Sequence, residues 1–529
     1  MYFDPAENAI SLVLTPLYWL VVTAGLLFVV LFVSLSSLLL TRGKSGLTVF
    51  FAEVRGMLSD IFSLSPRRIW SLARLAIMEG YRRKALSVFV VFALLFMFAG
   101  WFMGDSEGVT ADRVKVYVSF VLTALTWLPI PVILILACFG IPEDIRLRSI
   151  HTVVTKPARR LEIVIGRMLG VSVIALFILL IMAIVGQIWI QRQIPSSLLT
   201  CRVPVYGLLR FIDRNGDVGA GVNVGDIWAY RSYIEGATKA RAQWGFTQVS
   251  ESMLDSDGNL NLENSFSAFR SYKGDMSRPL FYDIKIYHPE TKLAYTTDPQ
   301  PVNEFRSKLD KIPRKLTIDD AQYDLFKDFV TKDGVLYVEV ACIDREQYIG
   351  MARADLFIRM PDRPFAVGYW KAILGIGMIF VLVTMIGVSA STVVKGPIAA
   401  ILTLVLFALS GKKSHQFMDA LMTGEVQGGG FLESIYRLVT HLGPSTELPA
   451  NPAFTIIKFI DTVLTSFLWL CKQVIPRLRS FNMSEFVANG FDVPFDVSIL
   501  PSLLVTAGYI IPCVMLGYFA LRIRELESK

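Results

Sequence analysis

The residues whose types and spacing could do chemistry are few, and two acidic turns are the clearest of them. Residues 213–217 are Asp-Arg-Asn-Gly-Asp, and residues 255–261 are Asp-Ser-Asp-Gly-Asn-Leu-Asn. Carboxylate and amide oxygens on a tight glycine turn suit Ca²⁺. Neither turn completes a twelve-residue calcium loop with its final Glu, and Asp, Asn and Gly form turns without a metal. We therefore expect ordinary turns, with no metal and no cofactor.

Phosphate-binding and hydrolytic motifs are incomplete or missing. Residues 43–45 and 411–414 carry the end of a phosphate loop, but Leu38 and Leu406 replace its first glycine. The four histidines are scattered, and neither HExxH nor GxSxG occurs. The sequence therefore predicts no enzyme active site, so any ATP hydrolysis must come from a partner.

Long apolar runs are the elements that must position any functional residue. The chain is 53% hydrophobic with a mean hydropathy of +0.51, well above soluble norms. Crossing a bilayer takes roughly 20 apolar residues. Seven runs reach or approach that length, namely 17–40, 85–103, 117–139, 168–189, 366–389, 393–410 and 499–521. The first is too long for a signal-peptide core and has no basic segment before it, which indicates an uncleaved anchor.

Basic residues set the predicted orientation, because Lys and Arg gather in cytoplasmic loops. Residues 41–84 hold nine basic residues against three acidic ones, and residues 140–162 are also basic. The N-terminus is then outside and the C-terminus inside a cytoplasmic membrane of the bacterial type. The net charge of +7 follows from this topology, and the absence of a compact basic domain argues against nucleic-acid binding.

A basic helix is predicted over residues 66–84. Ser65 suits its N-cap and Pro66 its first position. Aromatic and basic side chains suit a helix that lies in the membrane interface, and here they are Arg67, Trp70, Arg74, Arg82 and Arg83. A plain juxtamembrane connector is the alternative, and the interfacial helix is favoured.

An ordered cytoplasmic loop is predicted between two spans, at residues 140–162. It has an acidic start, a polar turn and a basic pair. Loops of this kind give a soluble partner a place to bind. The candidate binding residues are Glu143, Asp144, Arg146, Thr155, Lys156, Pro157 and Arg160.

Residues 191–365 differ from the rest of the chain. Alternating polarity at 226–233, 280–287 and 335–341 predicts strands, and a short helix is expected near 318–329. The sequence thus predicts a β-rich domain outside the membrane. Cys201 and Cys342 both fall in it, where an oxidising compartment would permit a disulfide, although sequence cannot establish the pairing.

Residues 411–497 are predicted to lie outside the membrane as a helical segment. The apolar run 454–474 is interrupted by Lys458 and Asp461. As a full span it would bury Asp461 at a high cost unless the carboxylate were paired. A surface-lying or partly embedded amphipathic helix avoids that cost, and both arrangements stay open.

The predicted fold class is an α-helical polytopic membrane protein of about seven spans with a β-rich extracytoplasmic insert. Its predicted domains are a membrane anchor at 1–40, a cytoplasmic linker with the basic helix at 41–84, three core spans with their cytoplasmic loop at 85–190, the β-rich insert at 191–365, and three further core spans at 366–529.

The order and spacing of these segments resemble a type-2 permease of the ATP-binding-cassette (ABC) transporters. The basic helix corresponds to the elbow helix of that family. The loop matches the family at Glu143 or Asp144, at Pro157 with Arg160, and at Gly166-Arg167. The resemblance covers residues 66–190 and 366–529, including the segment 475–490 before the last span and the charged tail 522–527.

Three features depart from the family pattern. Arg148-Ser149 stands where the family often has Gly-Thr, the anchor 17–40 is extra, and the β-rich insert is far larger than in minimal members. These departures bear on the substrate more than on the mechanism.

The resemblance implies a permease subunit of an exporter that works with a separate cytoplasmic ABC ATPase. Two permeases, as a homodimer or pseudo-dimer in the lipid bilayer, would assemble with two cytoplasmic ATPases. The loop would dock into the ATPase and the elbow helix would move as a lever. The alternative is a membrane-anchored sensor or scaffold, which explains residues 191–365 but leaves many spans without a role. A membrane enzyme is the third and least favoured alternative, because the sequence contains no set of catalytic residues.

Overall fold

The fold was analysed in a computed structural model. It describes residues 15–43, 45–82, 87–89, 91–92, 95, 111–146, 159–224, 231–270, 279–302, 307–319, 321–423, 430–443, 446, 452–476, 478 and 481–527. Its contacts divide the chain into two compact units. The β unit comprises Leu199–Gly368 and Gly490–Asp492, and the helical unit contains the other described residues.

The helices are long and mostly apolar. In chain order they are α1 (Thr15–Arg42), α2 (Ser45–Phe62), α3 (Pro66–Arg82), α4 (Ala111–Trp127), α5 (Pro129–Arg146), α6 (Arg160–Gln193), α7 (Phe365–Val393), α8 (Gly396–Leu409), α9 (Lys412–Thr423), α10 (Phe431–Val439), α11 (Pro452–Val474), α12 (Ser484–Ala488) and α13 (Leu500–Glu527).

Among the described residues, four helices are long and apolar enough to cross a membrane: Arg113–Arg146, which combines α4 and α5, Arg160–Gln193, Phe365–Val393 and Leu500–Leu521. They contain the predicted runs 117–139, 168–189 and 366–389 and nearly all of 499–521. A fifth candidate exists if Gly396–Leu409 and Ser414–Met422, which meet at 69°, form one broken span.

The count of about seven spans is not confirmed. The apolar helix Thr23–Ser36 is shorter than a full span, and the predicted run 85–103 lies mostly outside the described residues. The 14 residues of α8 extend only about 21 Å, short of a hydrocarbon core of about 30 Å. The structure is therefore a helical chain with four candidate spans, compatible with an integral membrane protein, and a separate β-rich region.

Asp461 faces a neighbouring helix rather than an apolar surface. It is 6% exposed, and its two carboxylate oxygens accept hydrogen bonds from the backbone N–H groups of Leu432 (2.8 Å) and Glu433 (3.0 Å). These N–H groups belong to the first turn of α10, where an anion is stabilised by unpaired donors and the helix dipole. The carboxylate that interrupts the apolar run 454–474 is thus paired.

The rest of α11 presents two further faces. One exposes large apolar side chains, Ile456, Phe459, Ile460, Val463 and Phe467. The other exposes the polar residues Thr455, Lys458, Thr462 and Ser466. The helix is therefore amphipathic in addition to having a buried side.

The β unit is built from short antiparallel strands. They are β1 (Val203–Tyr206), β2 (Leu208–Ile212), β3 (Val218–Gly219), β4 (Ser232–Glu235), β5 (Arg241–Phe246), β6 (Asn259–Asn264), β7 (Ser267–Arg270), β8 (Phe281–Tyr287), β9 (Ala294–Thr296), β10 (Gln300–Pro301), β11 (Lys308–Pro313), β12 (Lys315–Ile318), β13 (Ala321–Asp324), β14 (Leu336–Cys342), β15 (Gln347–Met351) and β16 (Leu356–Met360).

In the described part of the β unit, four sheets share one core. Their strand orders are β10-β8-β14-β5-β2-β3, with β9 beside β8, then β1-β16-β6-β11, β4-β15-β7, and the β12-β13 hairpin. Trp244, Phe246, Tyr282 and Val338 are fully buried in this core. Side chains alternate between buried and half-buried along β5 and β8, as period-two strands require. The strands predicted at 280–287 and 335–341 are confirmed.

A buried polar group joins the two larger sheets. The Tyr282 hydroxyl donates to the Asp310 carboxylate at 2.7 Å, and the Asn264 amide nitrogen donates to the same carboxylate oxygen at 2.6 Å. Burial and the Asp310 charge raise the pKa of Tyr282 well above its ordinary value. The phenol therefore stays neutral and keeps its role as a donor in the core.

The prediction of a short helix near residues 318–329 is wrong. The strands β12 and β13 form a hairpin there, followed by a single π-helical turn, Leu325–Phe329. The Asp324 carboxylate caps that turn, accepting from the N–H groups of Phe326 (3.0 Å) and Lys327 (3.3 Å). Leu316 and Phe329 are both fully buried, so strand packing decides the conformation.

The possible Cys201–Cys342 disulfide is not formed, and both cysteines are buried. Cys342 ends β14 in the largest sheet, where its sulfur lies 3.8 Å from the carbonyl oxygen of Asp344. Cys201 precedes β1, in a different sheet. Burial raises the pKa of the Cys342 thiol to about 12, which makes it a poor nucleophile.

The acidic turn at residues 255–261 uses its oxygens internally. The Asp255 carboxylate accepts hydrogen bonds from the N–H groups of Asn259 (2.8 Å) and Asp257 (2.9 Å) and from the side-chain amide of Asn261 (3.2 Å). The bond from Asn259 is the main cause of its lowered pKa. Over the described part of the chain, no group of three or more His, Cys, Asp or Glu residues is placed to hold a metal ion.

Candidate functional site

The basic helix predicted over 66–84 is present as α3, with residues 83–84 outside the described part. The Ser65 carbonyl accepts the first helical hydrogen bond, from the N–H of Ile69 at 3.1 Å. Ser65 therefore occupies the N-cap position and Pro66 the first helical position, as the sequence predicts.

Small residues let α3 lie directly against α6. A Cβ atom added at Gly166 would lie 2.6 Å from the Leu72 Cβ, and one added at Gly170 would lie 2.6 Å from the Ala73 carbonyl oxygen. Glycines four residues apart share one helix face, and this spacing favours close helix contact. The first turns of α6 are therefore held tightly beside α3.

Glu162, in the first turn of α6, joins three segments through one buried carboxylate. It is fully buried. Its Oε1 accepts from the backbone N–H of Ser65 (3.0 Å) and pairs with Nη2 of Arg68 (3.0 Å). Its Oε2 accepts from the backbone N–H of Arg159 (3.0 Å). Several donors are what a buried charge needs to offset its lost hydration.

Arg159, just before α6, reaches α2. Its Nη1 lies 2.7 Å from Oδ1 of Asp60 and also donates to the Ser59 carbonyl oxygen at 3.3 Å. The Tyr518 hydroxyl of α13 makes a long contact, 3.5 Å, with the other Asp60 oxygen. This cluster ties the start of α6 to α2 and α13.

Arg167, one turn further along α6, joins α3 and α5. It is only 8% exposed, and its Nη1 lies 2.5 Å from Oε2 of Glu79 and 3.6 Å from Oδ2 of Asp144. Its guanidinium fills the space that a side chain at Gly140 would need. The two carboxylates compensate the buried charge of Arg167.

These ion pairs form one site, which we call the charged junction. It consists of Asp60, Arg68, Glu79, Asp144, Arg159, Glu162 and Arg167. The junction fixes the end of α5 and the start of α6, the two helices that flank residues 147–158.

The predicted loop residues are divided by the structure. Asp144 belongs to the charged junction, whereas Glu143 and Arg146 form a separate pair at 3.8 Å on the surface of α5. Arg160 is the first residue of α6 and is half-buried. Thr155, Lys156 and Pro157 lie outside the described residues.

The predicted residues of the basic helix lie on the side of α3 that faces away from α6. Arg67, Trp70, Arg74 and Arg82 are all exposed, and Arg83 is outside the described part. Trp70 is 56% exposed, and Met78 and Tyr81, further along the same helix, are also exposed. The helix thus has a buried face toward α6 and an open face of basic and aromatic residues.

Sequence reasoning missed five members of the junction: Asp60, Arg68, Glu79, Arg159 and Glu162. A usable signal exists in α6, where Glu162 and Arg167 precede an uncharged run that ends at Arg192. Charges at the start of such an apolar helix need partners. The partners come from segments up to about a hundred residues away, such as Ser65 at a separation of 97.

No protein-family model, curated protein or solved structure matches this chain. Fold and site together define a class: a helical chain compatible with an integral membrane protein, with a β-rich unit and a charged junction among its helices.

Proposed function

We propose that this chain is the permease subunit of an ATP-driven ABC transporter of the type-2 class, coupled to a separate cytoplasmic ATPase. The observation that carries the proposal is the charged junction, which binds both flanks of residues 147–158 to the elbow helix α3. A segment anchored in this way can pass a push from a soluble partner to several helices at once. Transport in the export direction rests on the family resemblance alone.

The charged junction supports a mechanical role. Closure of an ATPase against residues 147–158 would displace the start of α6. Because Glu162 holds Ser65 and Arg68, and Arg159 holds Asp60, α2 and α3 would move with it. Such coupling requires a partner that contacts the two states of the permease differently.

The proposed topology has about seven spans, with the N-terminus outside and the C-terminus inside a cytoplasmic membrane of the bacterial type. The open face of α3 supports an interfacial position, because Trp70 and its basic neighbours suit the headgroup layer. The exposed apolar face of α11 supports a position on the extracytoplasmic surface of this membrane. There the Asp461 carboxylate keeps its hydrogen bond from the α10 backbone.

Cysteine labelling tests this topology. The natural cysteines are first replaced by Ala. Asp257→Cys then adds one thiol at a position whose side chain is 68% exposed, and Arg146→Cys adds one where the side chain is 76% exposed. We expect a membrane-impermeant maleimide added to intact cells to label position 257 at once and position 146 only after permeabilisation. Labelling of both positions in intact cells, or the reverse order, would show the orientation to be wrong.

Co-purification tests the partner. Full-length chain isolated from its own host is expected to retain a nucleotide-hydrolysing ATPase subunit, identified by mass spectrometry and ATP hydrolysis. Pro157→Glu combined with Arg160→Glu should remove it, because two acidic side chains would meet the docking surface. Arg192→Glu, at the exposed far end of α6, is the matched control and should keep the complex. An intact complex in the double variant would argue against docking through this loop.

A sensor or scaffold is the second candidate, supported by the compact β unit with its own core. It predicts a different outcome in the same purification, namely a signalling protein in place of an ATPase.

A further inference from the structure

An apolar cavity of about 440 Å³ lies among α2, α6, α7 and α13, within the helical unit. Its walls include Ile165 and Met168 of α6, Val381 and Met385 of α7, and Ile511 of α13. The volume is within the range of about 300–1,000 Å³ typical of small-molecule sites. Ile61 and Ile511 line it and are each 44% exposed, which marks its open side.

Ser172 is the one polar side chain in the lining that the structure describes. It is only 7% exposed, and its hydroxyl has no hydrogen-bond partner among the described atoms. A helical serine normally satisfies its hydroxyl on the carbonyl four residues earlier. Leaving a buried hydroxyl unpaired costs free energy, so an acceptor atom of a ligand would complete the site.

The depth of Ser172 indicates what kind of acceptor this is. Ser172 follows Arg167, which belongs to the charged junction, by five residues, or about 7.5 Å along the helix axis. The polar layer of one bilayer leaflet is about 5–7 Å thick. With Arg167 at the level of the headgroups, Ser172 would lie near the boundary between headgroups and acyl chains, where the ester carbonyls of glycerolipids are found.

We propose that this cavity binds one acyl chain of a membrane glycerolipid, whose ester carbonyl accepts a hydrogen bond from Ser172. Water is a poor occupant, because a buried water needs two to four polar partners and the described lining supplies one. An acyl chain matches the remaining walls. The cavity also adjoins the charged junction, because the lining residues Ile61 and Leu161 directly follow Asp60 and precede Glu162. Bound lipid would thus fill the space between α2 and α6, whatever the chain transports.

Photolabelling tests the site. The full-length chain is reconstituted in phosphatidylcholine vesicles that contain a phosphatidylcholine with a diazirine on one acyl chain, irradiated, digested and analysed by mass spectrometry. We expect labels to concentrate on Met168 and Met385. Leu180, on the same helix and 47% exposed outside the cavity lining, reports general contact with lipid. Labelling of the cavity residues no stronger than that of Leu180 would overturn the proposal.

Two variants separate the parts of the proposal. Val381→Trp fills the cavity and should abolish labelling of Met385, while Leu180→Trp should not.

Ser172→Ala should lower cavity labelling by roughly fivefold, the ratio that one net hydrogen bond supplies, with Val173→Ala as its control. If Val381→Trp fails to fold, as judged by its melting curve, Ser172→Ala decides. Unchanged labelling in Ser172→Ala, or equal labelling by a diazirine alkane that lacks the ester, would show that Ser172 does not bind the carbonyl.

Discussion

The variant Glu162→Ala is expected to lose about 3–5 kcal/mol of stability, the usual cost of removing one partner from a buried ion pair. The reason is local. Glu162 is fully buried and holds three donors, so its removal takes the acceptor oxygens from the Ser65 and Arg159 N–H groups and leaves the Arg68 guanidinium with the Ser63 carbonyl oxygen at 3.4 Å. Arg68 is 35% exposed and can turn partly to solvent, which favours the lower end of that range. The measurement is thermal and denaturant unfolding of the purified chain, together with ATPase co-purification.

A graded series separates charge from hydrogen bonding at this position. Glu162→Gln keeps one acceptor oxygen and loses the charge, so its stability should fall between those of the natural chain and Glu162→Ala. Glu143→Ala is the matched control, because Glu143 is 36% exposed and pairs loosely with Arg146 at 3.8 Å. Such surface pairs contribute about 0–1 kcal/mol. Equal unfolding curves for Glu162→Ala and Glu143→Ala would show that the charged junction does not hold α6 to α3.

The elements that sequence predicts well are those with a local cause. Ser65-Pro66 marks the start of α3 because capping chemistry is local. The run 168–189 marks α6 because long apolar stretches fold as helices in a membrane. The strands β8 and β14 follow from alternation of polarity within seven residues each.

The features that sequence misses depend on distant partners. The local sequence of residues 318–329 predicts a helix, but β12 and β13 pair there instead. Leu316 and Phe329 are buried in the core of the β unit, and this packing favours the hairpin. Sequence places both cysteines in the β-rich region, but the fold puts Cys342 at the end of β14 and Cys201 before β1, a strand of a different sheet. Glu162 and Arg167 can be recognised as charges in need of partners, but Asp60 and Glu79 cannot be assigned to them without the packing of α2 and α3.

The same packing gives the second large effect, which is expected for Gly170→Leu. The Cβ of the new side chain would lie 2.6 Å from the Ala73 carbonyl oxygen and 2.7 Å from the Ala76 Cβ. The oxygen belongs to the α3 backbone and cannot rotate away, so α3 and α6 must separate. Overpacking of this kind typically costs about 1–3 kcal/mol, occasionally more, and separation would also stretch the pairs of Glu162 and Arg167 across the same interface.

The size of the residue at position 170 should set the size of the effect. Stability should fall in the order Gly, Ala, Val, Leu, measured by the midpoint of thermal unfolding, and loss of the proposed ATPase partner should follow the same order. Gly25→Leu on α1 is the control, since a Cβ there meets no atom within 4 Å and the change raises helix propensity. If Gly170→Leu unfolds at the same temperature as the natural chain and retains the proposed partner, α3 and α6 are not in close contact in the working protein. Helix α3 would then have to act on α6 through the Glu162 and Arg167 ion pairs alone.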